Sequence, residues 1–423
     1  MKIVRLMIFL LFTAIPSHAL NIIRDAEIEL VLTDMGKSIF KVAELDEKSA
    51  KVFVFNSKDI NAFTIGNGYI FVSSELLFKI TDAAQLMGVL AHETAHIAAG
   101  HINRLMSTLQ QQSRNRGIAT LVGLIGTLAT GSVDAMAASI GYIMADDRLF
   151  LRYSRGEEAA ADALGASYME KLGYSVNNMT KVFEMFRDLE LMNGGEHVPE
   201  YIKSHPSPDN RIKALSHRNS PAKLTNYDEL QKKYKRIRTK LRAYIKDELS
   251  IRDDYTEAVF QHLQGKSDTA IKILQDLLKK CPDDVFYKET LAQCYYESGK
   301  IQDALKLYTE LYTKKSHILI KISYAETLIA ADSNLDEAIS ILESAKYIEC
   351  FDDRIFHLLA IAYGKKQKFG LSYLALAREK MLLSEYTAAE QLIKKSIKEF
   401  ESKKDQNHLR QAKYLKELID RAK

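Results

Sequence analysis

The sequence predicts a mostly helical α+β protein, in which a domain with a small β-sheet precedes an α-helical superhelix. Alternating apolar runs occur between residues 51 and 72, an apolar stripe with helical spacing covers residues 227–249, and small residues repeat with a period of 34 after residue 251. The chain has 423 residues, of which 47% are apolar and 27% charged, and this composition excludes a disordered or fibrous protein. The net charge of +4 is too small to indicate a nucleic-acid partner.

The first 19 residues are predicted to be a secretory signal peptide. Lys2 and Arg5 precede the largely apolar run 6–15, and residues 17–19 form a small-x-small cleavage site. A membrane anchor is the alternative, but the run is shorter than the ~20 residues that a membrane span needs. We therefore expect the mature chain outside the cytoplasm, in the periplasm if the source is a Gram-negative bacterium.

The first domain, residues 20–226, is predicted to contain a few strands and several helices. Asn67-Gly68 between two alternating runs is a strong hairpin signal, and Thr81-Asp82 can cap the helix that follows. Residues 117–145 predict a helical hairpin that covers a cleft or touches a membrane surface. A transmembrane helix is the less favoured alternative, because the longest uncharged run has 17 residues and contains four glycines. The predicted elements are a helix over 22–45, a strand over Lys51–Phe55, a hairpin of Ala62–Ile65 and Tyr69–Val72, and helices over 81–104 and 153–172.

Residues 251–423 are predicted to be a tetratricopeptide repeat (TPR) domain. Ala258 and Ala270 recur 34 residues later as Ala292 and Ala304, and two less regular units follow. Such units stack into a superhelix whose concave face binds extended peptides. Residues 227–250, with a basic face, are predicted to be a solvated linker helix, and a membrane or nucleic-acid patch is the alternative.

The sequence His92-Glu93-Thr94-Ala95-His96 places two histidines four residues apart on a buried helix. Residues i and i+4 share a helix face, so both imidazoles can bind one ion, and Glu93 lies beside the first of them. Two imidazoles leave a zinc site one protein ligand short, with one further position open. The motif predicts one Zn²⁺ per chain and Glu93 as the general base that takes a proton from water. A hydrogen-bonded histidine pair without metal is the alternative.

A third ligand is expected downstream of this motif. A metzincin would have glycine and histidine where this chain has Ala99 and Ile102, so that class is excluded. His101 is predicted to lie at the wrong angle for the same ion. Glu158 and Asp162 share one face of a later helix, where Glu158 can bind the ion and Asp162 can orient a ligand imidazole.

A proline-rich turn carries two further candidates. Ser204-His205-Pro206-Ser207-Pro208 is a stiff turn, and Arg211 follows it closely. His205 and Arg211 are both donors that can stabilise an oxyanion. A turn with incidental charges is the alternative interpretation of the same residues.

These three motifs together resemble the gluzincin family that includes HtpX and the CAAX prenyl proteases, which implies a zincin-like metalloprotease fold. The order of signal peptide, protease, linker and repeats is similar to that family's secreted branch, whose members are periplasmic proteases and assembly factors for outer-membrane proteins. Two departures stand out. Ala160 replaces an accessory carboxylate that is common in the family, and the transmembrane helices of HtpX are missing.

The resemblance implies a role for each candidate residue. His205 is expected to lie at the cleft, where it can occupy the open zinc position and hold the enzyme latent; Arg211 lies there too. The implied zinc ligands are His92, His96 and Glu158, with Glu93 as base and Asp162 behind the ligands. The segment Asn61, Ala62 and Phe63 resembles the family's edge strand, which pairs with substrate backbone.

The expected partners are unfolded or misassembled outer-membrane proteins and, through the TPR domain, the outer-membrane assembly machinery. Peripheral contact with a membrane surface is a further candidate interaction, and no nucleic-acid partner is expected. A protein of a different class is the rival hypothesis: a chaperone-like TPR adaptor whose zinc site is structural or permanently closed by His205.

Overall fold

A computed structural model of the chain describes residues 21–102, 104, 153–192, 201, 204–205, 208–218, 226–245, 253–313, 315–349 and 352–422. The predicted signal peptide and the segment 117–145 lie outside these residues. Among the described helices, none combines the length and the apolar character needed to cross a membrane.

The strands are β1 (Ile22–Ile23), β2 (Lys51–Phe55), β3 (Ala62–Gly66) and β4 (Tyr69–Ser73). The helices of the first domain are α1 (Ala26–Val42), α2 (Ser74–Lys79), α3 (Ala83–Ala98), α4 (Arg155–Lys171), α5 (Asn177–Met192), α6 (Pro208–Leu215) and α7 (Tyr227–Tyr244).

The four strands form one sheet in the order β1-β2-β4-β3, so that β3 is an edge strand. Strand β2 runs parallel to β4, whereas β1 and β3 pair antiparallel with their neighbours. The predicted hairpin is confirmed: Asn67 and Gly68 have φ values of 50° and 87° at the turn between β3 and β4. A Cβ atom on Gly68 would lie 2.2 Å from the carbonyl oxygen of Ser49, so this turn requires glycine.

Helix α3 forms the centre of the first domain. The side chain of Asp82 accepts a hydrogen bond from the N–H of Ala84, and every residue from Ala83 to His96 except Gln85 is buried. Helix α3 packs against α1, α4, α5 and the β3–β4 hairpin. The prediction of one continuous helix to Arg104 is wrong, because α3 ends at Ala98 and Gly100 follows with a φ of +66°. This left-handed glycine ends the helix and changes the direction of the chain.

The repeat domain consists of stacked helix pairs, as the 34-residue period predicts. Ala258, Ala270, Ala292 and Ala304 are all fully buried where paired helices cross, because a small side chain allows close approach. Four units were predicted, and a fifth pair is present in the described region. The helices are α8 (Asp254–Leu263), α9 (Ser267–Lys280), α10 (Val285–Glu297), α11 (Ile301–Leu311), α12 (Ile318–Ala330), α13 (Leu335–Ala345), α14 (Asp353–Lys365), α15 (Phe369–Leu382), α16 (Tyr386–Ser402) and α17 (Gln406–Ala422).

The basic face of α7 is solvated only in part. Lys232, Lys233 and Lys235 are exposed, as expected for a linker helix, whereas Lys240 and Arg236 contact both domains. Lys240 is 1% exposed, and its Nζ lies 2.7 Å from Asp25 Oδ2 and 3.3 Å from Glu27 Oε2 at the start of α1. The same ammonium lies 5.0 Å from the ring centre of Tyr255 in the first repeat. Burial by itself lowers the pKa of Lys240, but Asp25 and the other anionic neighbours raise it well above its ordinary value. Arg236 pairs with Asp284 of the repeats at 2.7 Å.

Replacing Lys240 with alanine is expected to destabilise the protein by about 3 kcal/mol, because it removes the ammonium that pairs with the buried carboxylates of Asp25 and Glu27. Tyr244 and Arg236 still contact those carboxylates, which places the loss at the lower end of the usual range. The exposed Lys233 on the same helix pairs only with Glu229 among the described ion pairs, so Lys233→Ala is a matched control expected to cost less than about 1 kcal/mol. Urea unfolding followed by circular dichroism measures both, and equal losses would contradict the assigned role of Lys240.

Candidate metal centre

Helix α4 crosses α3 closely enough to bring the two sequence motifs together. A Cβ atom on Gly165 would lie 3.2 Å from the backbone nitrogen of His92 and 3.3 Å from the carbonyl of Ala91, so glycine permits this close approach. Ser154 begins α4 with a capping box, in which its side chain and that of Glu157 each bind the other's backbone N–H. The crossing places Glu158 and Asp162 against the histidines of α3.

Four side chains converge on one point in this region. His92, His96, Glu158 and His205 each offer a ligand atom, these atoms lie within 4.8 Å of one another, and all four residues are buried. The Nε2 atoms of His92 and His96 are 3.1 Å apart. They lie 3.5 and 3.4 Å, respectively, from the carboxylate oxygens of Glu158. The structure thus brings together the three predicted ligands and adds His205 as a fourth neighbour.

These distances fit a zinc ion. Zn–N and Zn–O bonds of about 2.0–2.1 Å place the corners of a tetrahedron about 3.3 Å apart, which is the spacing of the ligand atoms here. Several buried polar atoms have no hydrogen-bond partner among the described residues, as expected where a cation completes the site. These atoms are Oε1 and Oε2 of Glu93, Oε2 of Glu158 and Nε2 of His205.

Asp162 contacts the ring nitrogen of His92 that faces away from the ligand cluster, and Arg211 pairs with Asp162. Asp162 Oδ1 lies 2.9 Å from Nδ1 of His92, which leaves Nε2 of that ring facing the ligand cluster. Arg211 donates to both oxygens of Asp162 at 2.8 Å and stacks on Phe183. Burial tends to raise the pKa of Asp162, but Arg211 and His92 hold it at about 2, so the carboxylate stays ionised. Arg211 is 5% exposed, and in this structure its guanidinium pairs with the carboxylates of Asp162 and Glu158. The predicted role of stabilising an oxyanion would require Arg211 to contact a substrate oxygen instead.

Glu93 lies next to the cluster without entering it. The residue is fully buried, and its Oε1 is 3.6 Å from Nε2 of His205. Burial raises the pKa of Glu93 above its ordinary value, whereas neighbouring imidazoles act in the opposite direction. A buried carboxylate with a raised pKa holds a proton more readily than an exposed one, which suits a group that accepts and returns a proton. This geometry is what the predicted general base requires.

His205 is held in place by two tyrosines that sequence reasoning did not single out as site residues. Its Nδ1 lies 3.3 Å from Nε2 of His92 and 2.8 Å from Oε1 of Glu158. The rings of Tyr153 and Tyr201 have their centres 5.4 and 4.4 Å from that of His205. Neither tyrosine belongs to a motif with a characteristic spacing, so only the tertiary structure identifies this aromatic environment.

The predicted substrate-binding segment lies at the edge of the sheet. Ala62 and Phe63 belong to β3, which is hydrogen-bonded to β4 on one side. Asn61 precedes the strand, and its carbonyl accepts a hydrogen bond from the N–H of Ser73. The N–H of Tyr201 donates to the carbonyl of Ile60, so the segment that carries His205 contacts the start of this edge.

Comparisons with known proteins agree with this site. Residues 24–219 match the family model of Peptidase family M48, and residues 254–345 match that of the anaphase-promoting complex, cyclosome, subunit 3. The beta-barrel assembly-enhancing protease of Escherichia coli O157:H7 is 24% identical over 361 residues, which cover 81% of this chain and 73% of that protein. The mitochondrial metalloendopeptidase OMA1 of Homo sapiens is 28% identical over 173 residues, which cover 39% of this chain and 31% of that protein.

The fold and the ligand cluster define a zinc-dependent metalloendopeptidase domain. Residues 24–219 form a Peptidase M48 domain, and a TPR-like helical domain follows it. This chain covers between 39% and 73% of the length of the relatives named as beta-barrel assembly-enhancing proteases. The family confirms the predicted class of enzyme and its metal.

Proposed function

We propose that this chain is a periplasmic zinc endopeptidase that degrades misfolded or stalled outer-membrane proteins. The convergence of His92, His96 and Glu158 beside the unpartnered carboxylate of Glu93 supports the chemistry. The relatives named as beta-barrel assembly-enhancing proteases support the substrate class. The predicted signal peptide, residues 1–19, supports the location, and the predicted domain boundaries at residues 226 and 250 are part of the same proposal.

Each residue of the site has a task in this proposal. His92, His96 and Glu158 hold the ion, Asp162 orients His92, and Glu93 takes a proton from water and returns it to the leaving amine. When bound, zinc supplies Lewis acidity that polarises a carbonyl and activates water. Extended substrate pairs through its backbone with Asn61, Ala62 and Phe63 at the edge of the sheet. Backbone pairing reads conformation more than sequence, so cleavage is broad but restricted to unfolded segments.

We propose further that the enzyme rests in a latent state. His205 lies where a fourth ligand belongs, and its burial between Tyr153 and Tyr201 keeps substrate from that position. Opening requires His205 to leave this position. The repeat domain recruits substrate or the outer-membrane assembly machinery, and it is fixed to the protease domain through the buried charges around Lys240.

A chaperone-like adaptor is the second candidate function. The position of His205 favours it, because a permanent fourth ligand would turn a catalytic zinc site into a structural one. In that case the repeats would bind outer-membrane proteins and the first domain would serve as scaffold. Both candidates use the same zinc ligands, so metal content alone does not distinguish them.

Replacing His205 with alanine distinguishes the two. For the latent enzyme, proteolysis of an unfolded β-barrel precursor should rise by about 10-fold or more, since open states of such equilibria are typically populated at 0.1–10%. The measurement is the rate of precursor cleavage at equal zinc occupancy, with His217→Ala, an exposed histidine beyond α6, as matched control. Persistent inactivity with zinc bound would support the adaptor, and a fall from measurable wild-type activity would indicate that His205 acts as an oxyanion donor.

A further inference from the structure

The second zinc ligand has a partner that the proposed mechanism does not use. Nε2 of His96 faces the ligand cluster, 3.1 Å from Nε2 of His92 and 3.4 Å from Oε1 of Glu158. Its other ring nitrogen, Nδ1, lies 2.8 Å from Nδ1 of His101. His101 is only 2% exposed, so water does not replace this contact. His101 is outside the group of four potential ligands.

The hydrogen-bonding capacity of imidazole fixes the direction of this contact. A nitrogen that binds zinc uses its lone pair, so the proton of neutral His96 must be on Nδ1 when Nε2 is the ligand atom. Nδ1–H of His96 then donates, and Nδ1 of His101 must accept with its own proton on Nε2. We propose that His101 is a positioning residue that fixes the tautomer and ring orientation of His96. This inference rests on the proposed zinc site.

The end of α3 makes this contact available. In a continuous helix, residues 96 and 101 would be separated by about 140° around the axis and could not meet. Gly100 adopts a φ of +66°, which ends the helix and brings His101 back alongside His96. The ring of Tyr153 stacks on a face of His96 with a centroid distance of 3.7 Å. His96 is therefore held by a hydrogen bond at Nδ1 and by an aromatic face.

The two ligand histidines consequently differ in the group that contacts Nδ1 of each ring. His92 has the carboxylate of Asp162 at its Nδ1, and Arg211 balances that charge. His96 has the neutral imidazole of His101 instead. A ligand imidazole with an oriented hydrogen-bond partner binds metal more tightly than one without, and losing such a partner typically costs 10–100-fold in affinity. His101 should therefore contribute to zinc affinity without touching the ion.

The test uses the mature full-length chain with three substitutions at one position. Asn places its amide oxygen near the position of Nδ1 and can accept from His96, whereas Gln places its amide near the position of Nε2, and Phe has no acceptor. Zinc affinity is measured by competition with a chelator, and the ligand field is followed by the absorption of the Co²⁺-substituted protein. We expect His101→Phe and His101→Gln to weaken zinc binding about 10–100-fold and His101→Asn to stay within about threefold of wild type.

Matched controls separate positioning from general damage to the fold. His357 is a half-exposed histidine in the repeat domain, and His357→Phe should leave zinc affinity and the Co²⁺ spectrum unchanged. If His101→Phe does not fold, the comparison of the Asn and Gln variants, which are both polar, decides the matter. Equal zinc affinity and equal Co²⁺ spectra for Asn and Gln would overturn the proposal, and so would a wild-type chain that binds no zinc.

The outcome for His101 is distinct from the outcome for the proposed function. A chain that binds zinc with the expected dependence on His101 but cleaves no precursor, even as His205→Ala, would retain this inference and lose the endopeptidase. Conversely, unchanged zinc affinity in all three His101 variants with intact proteolysis would retain the enzyme and remove the positioning role.

Discussion

Changing Glu93 to glutamine is expected to reduce proteolysis of an unfolded β-barrel precursor by about 10²–10⁴-fold, the range that a positioned general base contributes. Glu93 is fully buried beside the ligand cluster, and both carboxylate oxygens lack a hydrogen-bond partner among the described residues. Glutamine has nearly the same shape but cannot accept a proton at neutral pH. The substitution removes the base while leaving the two flanking ligands in position.

The measurement is the initial rate of cleavage in the His205→Ala background, so that the proposed latent state does not mask the effect. Zinc content serves as the control, since His92, His96 and Glu158 are unchanged and one ion per chain should remain. A Glu93→Gln variant that retains zinc and still cleaves at the parental rate would exclude Glu93 as the base. It would also remove the principal chemical support for the endopeptidase.

The second large effect is expected from changing Glu158 to alanine, which should abolish stable zinc binding. The change is made in the His205→Ala background, because His205 could otherwise serve as a third imidazole ligand. Only His92 and His96 then remain, and a catalytic zinc site normally requires three protein ligands. Glu158 also lies 3.3 Å from Arg211, which keeps its two hydrogen bonds to Asp162 after the change. Metal analysis after dialysis is expected to give one zinc per chain for the His205→Ala parent and well below one for the variant.

The adjacent Glu157 provides a matched control. Its side chain turns away from the cluster and closes the capping box with Ser154 at the start of α4. Glu157→Ala should cost about 1 kcal/mol of stability through the lost cap while one zinc per chain is retained. If Glu158→Ala kept its zinc, or if Glu157→Ala lost it, the assigned third ligand would be wrong.

Local sequence patterns were sufficient to predict many elements of this protein. The Asn67-Gly68 turn, the cap at Asp82 and the 34-residue period each depend on residues close together in the chain, and the structure confirms them. The pairing of His92 with His96 is equally local, because four residues make a full turn of one helix. These features needed no knowledge of how distant segments pack.

Other predictions failed where the outcome depended on packing. The helix of His96 was predicted to continue to Arg104, but Gly100 ends it, and the single glycine inside an otherwise helical pattern was the available signal. Residues 227–250 were predicted to form a solvated linker helix because of their basic face, and Lys232, Lys233 and Lys235 are exposed as that prediction expects. Lys240 is instead buried against Asp25 and Glu27, which lie more than 200 residues earlier in the chain.

The sequence by itself determined the metal-binding helix, the repeat array and the class of chemistry, because each is encoded in spacing along one helix or one repeat. Glu158 and His205 were implied by the resemblance to a known family, but only the tertiary structure decided how they meet the two histidines and that His101 joins them. Glu158 reaches His92 and His96 through the crossing of α3 and α4. His205 reaches them from a segment packed against Tyr153 and Tyr201, and His101 does so because α3 ends before Gly100. Such contacts join residues that share no periodicity, so their geometry follows from the packed core and not from any local pattern.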